Sequence, residues 1–132
     1  MPISGLRISD VIASSKIGLK ASNTIALELH NVQVNADSGV AFFVWNSTEL
    51  ELDGVATRKP SLEAPLIRLD NCPGTIIRNC HVLAGTGTFL SVAPGELKNV
   101  ILEGNVINTA HQASEESAAF YLRSRERPTE GD

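Results

Sequence analysis

Cationic tracts are missing from this 132-residue sequence. Its eleven lysines and arginines are scattered among fifteen acids, giving a formal charge of −4 and a pI of about 5.3. There is no basic field for nucleic acid or an anionic membrane, so neither is an expected partner. No apolar run approaches the length that crosses a bilayer. The opening MPISGLRISDV has neither the basic start nor the apolar core of a signal peptide. The chain as given is expected to be soluble. Either it works in the cytoplasm, or the upstream part of a longer exported protein is absent.

Metal-ligating residues are equally sparse. His30, His81 and His111 stand far apart with no ligand-like pairing, and Cys72 and Cys80 are the only cysteines. No metal site and no cofactor follow from them. Helical periodicity is also absent from most of the chain. With 42% hydrophobic residues the sequence still has enough apolar material for one core in one domain.

What it has instead is a repeat. LELHNVQV (Leu27 to Val34) follows the form apolar, any, apolar, two turn-like residues, apolar, any, apolar. The form returns as LRISDVIA from Leu6, LELDGVAT from Leu50, TIIRNCHV from Thr75 and VILEGNVI from Val100. The anchors Ile8, Leu29, Leu52, Ile77 and Leu102 are 21, 23, 25 and 25 residues apart. A near-constant period of this size means that each unit buries its apolar face against its neighbours. Leucine-rich repeats share the period but need a helix or loop half that no unit here offers. A second apolar stretch follows each anchor instead: GLKA, FFV, LIRL and FLSV, ending at Ala21, Val44, Leu69 and Val92. Two short strands per unit predict an all-β, right-handed parallel β-helix, a solenoid of about five coils over residues 1–112. Residues 113–132 would form a C-terminal cap and tail.

Alternation along the strands assigns faces. Leu6, Ile8, Val11, Ala13, Leu19 and Ala21 point inward in the first coil. Leu27, Leu29, Val32, Val34, Phe42 and Val44 do so in the second, and Cys80 joins the inward column of Val11, Val32 and Val55 as a small core residue. Phe43 and Trp45 face outward, beside Lys20 and Arg68 of the neighbouring coils. That group is a candidate carbohydrate-binding face for an acidic polysaccharide, with an interface or packing under the chain's tail as alternatives. Arg58, Lys59, Arg68 and Arg78 offer a second picture of a site for an acidic sugar polymer. Against it, the outward column Ser9, His30, Asp53, Arg78, Glu103 places Arg78 between opposite charges, which is a surface ladder of ion pairs.

Asn23, Asn46 and Asn71 each come two residues after an inward anchor, and Pro94 takes the fourth position. Asparagine tolerates left-handed backbone, and stacked copies can bond side chain to side chain, so these three predict an asparagine ladder. Nothing covers the open end below the first coil, which predicts association: a homo-oligomer, or a missing upstream domain. At the other end, Ser114 to Arg127 has an N-cap serine, acids first, bases last and Pro128 beyond, as a short capping helix would. The alternative is one more strand from AAFYL (Ala118 to Leu122). Pro128 to Asp132 read as a disordered tail.

The succession LDGVATRKPSLEAPLIRLDNCPGTIIRNC (Leu52 to Cys80) with GTGTFLSV (Gly85 to Val92) resembles the final coils of polygalacturonase-like proteins, glycoside hydrolase family 28. The resemblance covers roughly Ile3 to Asn108. It implies a β-helix, a periplasmic or extracellular full-length protein, and inverting hydrolysis of galacturonan-type chains by carboxyl groups. The family's signature elements are Asn-Thr-Asp, paired aspartates, Gly-His-Gly and Arg-Ile-Lys. Here Asn23-Thr24 precedes Ile25, Asn108-Thr109 precedes Ala110, no two aspartates are adjacent, and the other two elements do not occur. No catalytic residue is carried over. Three expectations follow: a non-catalytic C-terminal scaffold of such a hydrolase, a carbohydrate-binding β-helix, or a self-assembling structural module.

Overall fold

The structure, a computed structural model, describes residues 3–106 and 112–116. Twelve strands occur in this order: β1 (Ile3–Ser4), β2 (Arg7–Ser15), β3 (Leu19–Ser22), β4 (Thr24–Ile25), β5 (Glu28–Ala36), β6 (Phe42–Trp45), β7 (Glu51–Asp53), β8 (Ile67–Asp70), β9 (Thr75–Arg78), β10 (Thr88–Val92), β11 (Val100–Glu103) and β12 (Gln112–Glu116). One three-residue 3-10 turn, Leu97–Asn99, precedes β11. Among the described residues no helix is long and apolar enough to cross a membrane.

Successive strands in sequence never pair with each other. Sheet one runs β2, β5, β7, β9, β11 and sheet two runs β3, β6, β8, β10, β12, each five strands deep and parallel. β1 and β4 form a short third ladder. Two sheets visited alternately by one chain make a parallel β-solenoid of about four turns. At about 4.8 Å per rung its height is about 20 Å.

The repeat and the ladder agree residue for residue. Ile8, Leu29, Leu52, Ile77 and Leu102 are register partners along sheet one, and Ala21, Val44, Leu69 and Val92 along sheet two. These columns face each other across the interior. Leu29, Leu52, Ile77, Phe42, Val44 and Val92 are wholly buried, with Cys80 among them. Both cysteines are free, and burial pushes each thiol up to about 11.

The turns explain the two turn-like positions in the repeat. The second of them, Asp10, Asn31, Gly54, Asn79 and Gly104, stands in every coil at φ between 56° and 71°. Glycine, asparagine and aspartate carry the smallest penalty there. A second left-handed column is Asn23, Asn46 and Asn71, at 58°, 54° and 58°. Asn71 Nδ2 donates to Asn46 Oδ1 at 3.0 Å; Asn23 shares the backbone geometry of the column. Gly18 serves a different need, since a Cβ there would stand 2.2 Å from the Val40 carbonyl oxygen.

The C-terminal end differs from the expected helix. Ser114 to Glu116 belong to β12, paired in parallel with Leu90 to Val92. Pairing with a strand some 24 residues upstream outweighs the local N-cap pattern, because it continues an existing ladder. Ser114 and Glu116 hold the inward register above Leu90 and Val92, and the Glu116 carboxylate accepts from the Gly95 and Leu97 N–H groups at 3.1 and 3.0 Å. The apolar column of sheet two therefore ends in polar residues. Ala118 to Leu122, the rest of the expected helix and the Pro128 to Asp132 tail lie outside the described residues.

Candidate functional site

Charged groups converge on the outer face of sheet one. In each strand the residues flanking the inward anchor project outward, giving one column of Arg7, Glu28, Glu51, Ile76, Ile101 and another of Ser9, His30, Asp53, Arg78, Glu103. The four central polar positions, Glu28 and His30 on β5 with Glu51 and Asp53 on β7, form a square across two rungs.

Their contacts tie four coils together. His30 Nε2 lies 2.9 Å from Glu28 Oε1 and 3.5 Å from Glu51 Oε2, and its Nδ1 lies 3.7 Å from Asp53 Oδ2. Arg7 Nε donates to Glu28 Oε1 at 2.9 Å from the first coil. Arg78 reaches down from the fourth, donating to Glu51 Oε2 at 2.7 Å and to Asp53 Oδ2 at 3.2 Å. Asn79 Nδ2 donates to the other Asp53 oxygen at 3.1 Å. Hydrogen bonds from His30 and Arg7 hold the Glu28 carboxyl below its ordinary value. Those from Asn79 and Arg78 do the same for Asp53. Favouring the charged form in this way is what donated hydrogen bonds do to a carboxylate.

Glu28, His30 and Glu51 each offer one ligand atom within 4.8 Å of the others, so a divalent cation has donors of the right type here. The same carboxylates are bound by Arg7 and Arg78. The cluster is thus an ion-pair lattice, as the sequence column containing Arg78 predicted. The column of Glu28 and Glu51 is not part of that expectation; its signal is the outward residue two before His30 and two before Asp53, in ELH and ELD.

The expected carbohydrate-binding residues share the outer face of sheet two. Lys20, Phe43 and Arg68 are register neighbours, and Trp45 lies between Ser22 and Asp70. Lys20 is exposed, while Phe43 and Trp45 are half-buried with ring centroids 5.0 Å apart and planes tilted by 60°. Arg68 corrects the expectation of an available surface cation. It is 1% exposed, donating to Ser91 Oγ and Asp70 Oδ1 at 2.7 Å each. The register position faces outward, yet the guanidinium is used to pin two coils.

The second imagined group of cations disperses as well. Lys59 pairs with Asp37, Arg78 is held by Glu51 and Asp53, and Arg58 is exposed, its backbone N–H bound to Asn35 Oδ1 at 2.7 Å. An open groove of about 350 Å³ runs between residues 36–39 and 59–63 beside the Lys59–Asp37 pair. Its lining has no aromatic, histidine or cysteine. Comparison of the chain with family models, with curated proteins and with solved structures returns no match.

Proposed function

We propose that this chain is a non-catalytic β-solenoid scaffold, corresponding to the C-terminal coils of a polygalacturonase-like hydrolase. The observation that supports the reading most is the state of the carboxylates where acids converge. Inverting glycosidases need one carboxyl kept protonated, its pKa raised, and a second free to activate water. Glu28 and Asp53 are pushed the other way, towards the ionised form. Glu51 is held by Arg78. Such a lattice couples rungs rather than moving protons.

The test is reducing-end release from polygalacturonate and rhamnogalacturonan by the purified chain. The scaffold reading expects the level of a buffer blank, and turnover above it would remove the reading. A second reading, a carbohydrate-binding face, draws on the half-exposed Phe43 and Trp45 rings beside Lys20. It requires affinity for oligogalacturonides that falls at least tenfold on Trp45→Ala. Unchanged affinity would dismiss it.

A further inference from the structure

His30 stands among three carboxylates supplied by two adjacent coils. Its Nε2 lies 2.9 Å from Glu28 Oε1 and 3.5 Å from Glu51 Oε2, and its Nδ1 lies 3.7 Å from Asp53 Oδ2 on the other side of the ring. A neutral imidazole carries a single N–H. Whichever nitrogen holds it, the other turns a lone pair towards a carboxylate, and a cation on that nitrogen relieves the conflict. The charges agree, since Glu28, Glu51 and Asp53 face only Arg7 and Arg78 and the lattice is one cation short of neutral. The Nε2 side is the better equipped. Two tetrahedral ligands of zinc at about 2.0–2.2 Å stand about 3.3 Å apart, and the two Nε2–oxygen distances fall on either side of that value. The donor atoms of Glu28, His30 and Glu51 all lie within 4.8 Å of one another.

We infer that Glu28, His30 through Nε2, and Glu51 bind a zinc-like divalent cation that joins the second and third coils, with Asp53 accepting the Nδ1–H behind the ring. A carboxylate on the far nitrogen fixes the tautomer of a metal-bound histidine, and Asp53 is the positioning residue in that sense. Imidazole with carboxylates suits zinc, whereas magnesium takes oxygen ligands and keeps its water. The three side chains are between 23% and 30% exposed, so an ion can enter from solvent and water can complete a four-coordinate shell.

The arginines leave room for it. Arg7 binds Glu28 through Oε1 and Arg78 binds Glu51 through Oε2. Glu28 Oε2 and Glu51 Oε1 have no hydrogen bond among the described residues. A turn of each carboxylate lets it hold a guanidinium on one oxygen and the ion on the other. Spacing in the sequence shows no ligand pair because Glu51 belongs to the next coil, and only the register sets it beside His30.

Isothermal titration of the folded full chain with Zn2+ tests the site. One ion per chain is expected, with no heat of binding from Mg2+ at the same concentration. His30→Gln should weaken zinc binding at least tenfold. His81→Gln, which changes an exposed histidine on another coil, should bind as the wild type does, and circular dichroism checks that both variants keep the fold. Cys72 and Cys80 are buried, so the Co2+ complex should show visible d–d bands without the near-ultraviolet band of thiolate ligation. No binding, binding that survives His30→Gln, or a cobalt–thiolate band would each overturn the inference. Its failure is separable from that of the scaffold reading: reducing-end release would remove that reading and leave the site, and a chain that binds no zinc remains a scaffold.

Discussion

Asn71 and Asn46 are joined by a 3.0 Å side-chain hydrogen bond while both hold left-handed backbone at φ 58° and 54°. One residue type meets two requirements there: it tolerates the turn, and its amide bridges adjacent rungs. Replacing Asn71 by alanine removes the bridge together with the polar side chain that eases left-handed backbone, a conformation that costs other L-residues about 1–2 kcal/mol. Urea denaturation should show a loss of about that size for Asn71→Ala and less than half of it for Asn71→Gly. Equal losses would mean that the bridge, not the backbone, dominates.

A converse case lies one turn away. Glu49 stands at φ 58° with no side chain suited to that geometry. Glycine relieves the strain but loses more backbone freedom on folding. Glu49→Gly should be more stable than the wild type by about 0.5–1 kcal/mol, read as a higher urea midpoint. A lower midpoint would contradict the account of the turns.

Arg68 tests the difference between a surface cation and an internal pin. Breaking a buried ion pair by removing one partner costs about 3–5 kcal/mol, and partial exposure of the partner reduces it. Asp70 retains 23% exposure beside an Arg68 side chain at 1%. Arg68→Ala should therefore lower stability by about 2–4 kcal/mol in thermal or urea unfolding, and Arg68→Lys should recover little, lacking the fork that reaches both Ser91 and Asp70. A loss under 0.5 kcal/mol would return Arg68 to the surface.

Acid should loosen the lattice in a defined direction. Glu28 and Asp53 have folded values lowered from 4.5 and 3.8. The unfolded chain then binds protons more readily, so their stabilisation is fully present above those unfolded values and is lost as pH falls below them. The urea midpoint should drop between about pH 4.5 and the acid limit of folding, with a shallower slope in Asp53→Asn. Identical slopes in the two proteins would show that Asp53 is not coupled to folding.

Most of the architecture was legible because a solenoid repeats its physics. Ile8, Leu29, Leu52, Ile77 and Leu102 fixed one column and Ala21, Val44, Leu69 and Val92 the other, and alternation then placed Phe43 and Trp45 outside. The parts that escaped depend on neighbours distant in sequence. The outward position of Arg68 follows from alternation, but its hydrogen bonds to Ser91 and Asp70 do not. Ser114 has the local chemistry of a helix start and is claimed by the edge of β10. Glu28 and Glu51 look like ordinary surface acids until the register sets them on either side of His30.

The central claim, that this acidic cluster couples coils and does not cut glycans, is tested most directly by one paired measurement on the wild type and Asp53→Asn. Reducing-end release from polygalacturonate and thermal midpoint are recorded for both. The account predicts blank-level release from both proteins and a lower midpoint for the variant. Release by the wild type that disappears in the variant at an unchanged midpoint would contradict it.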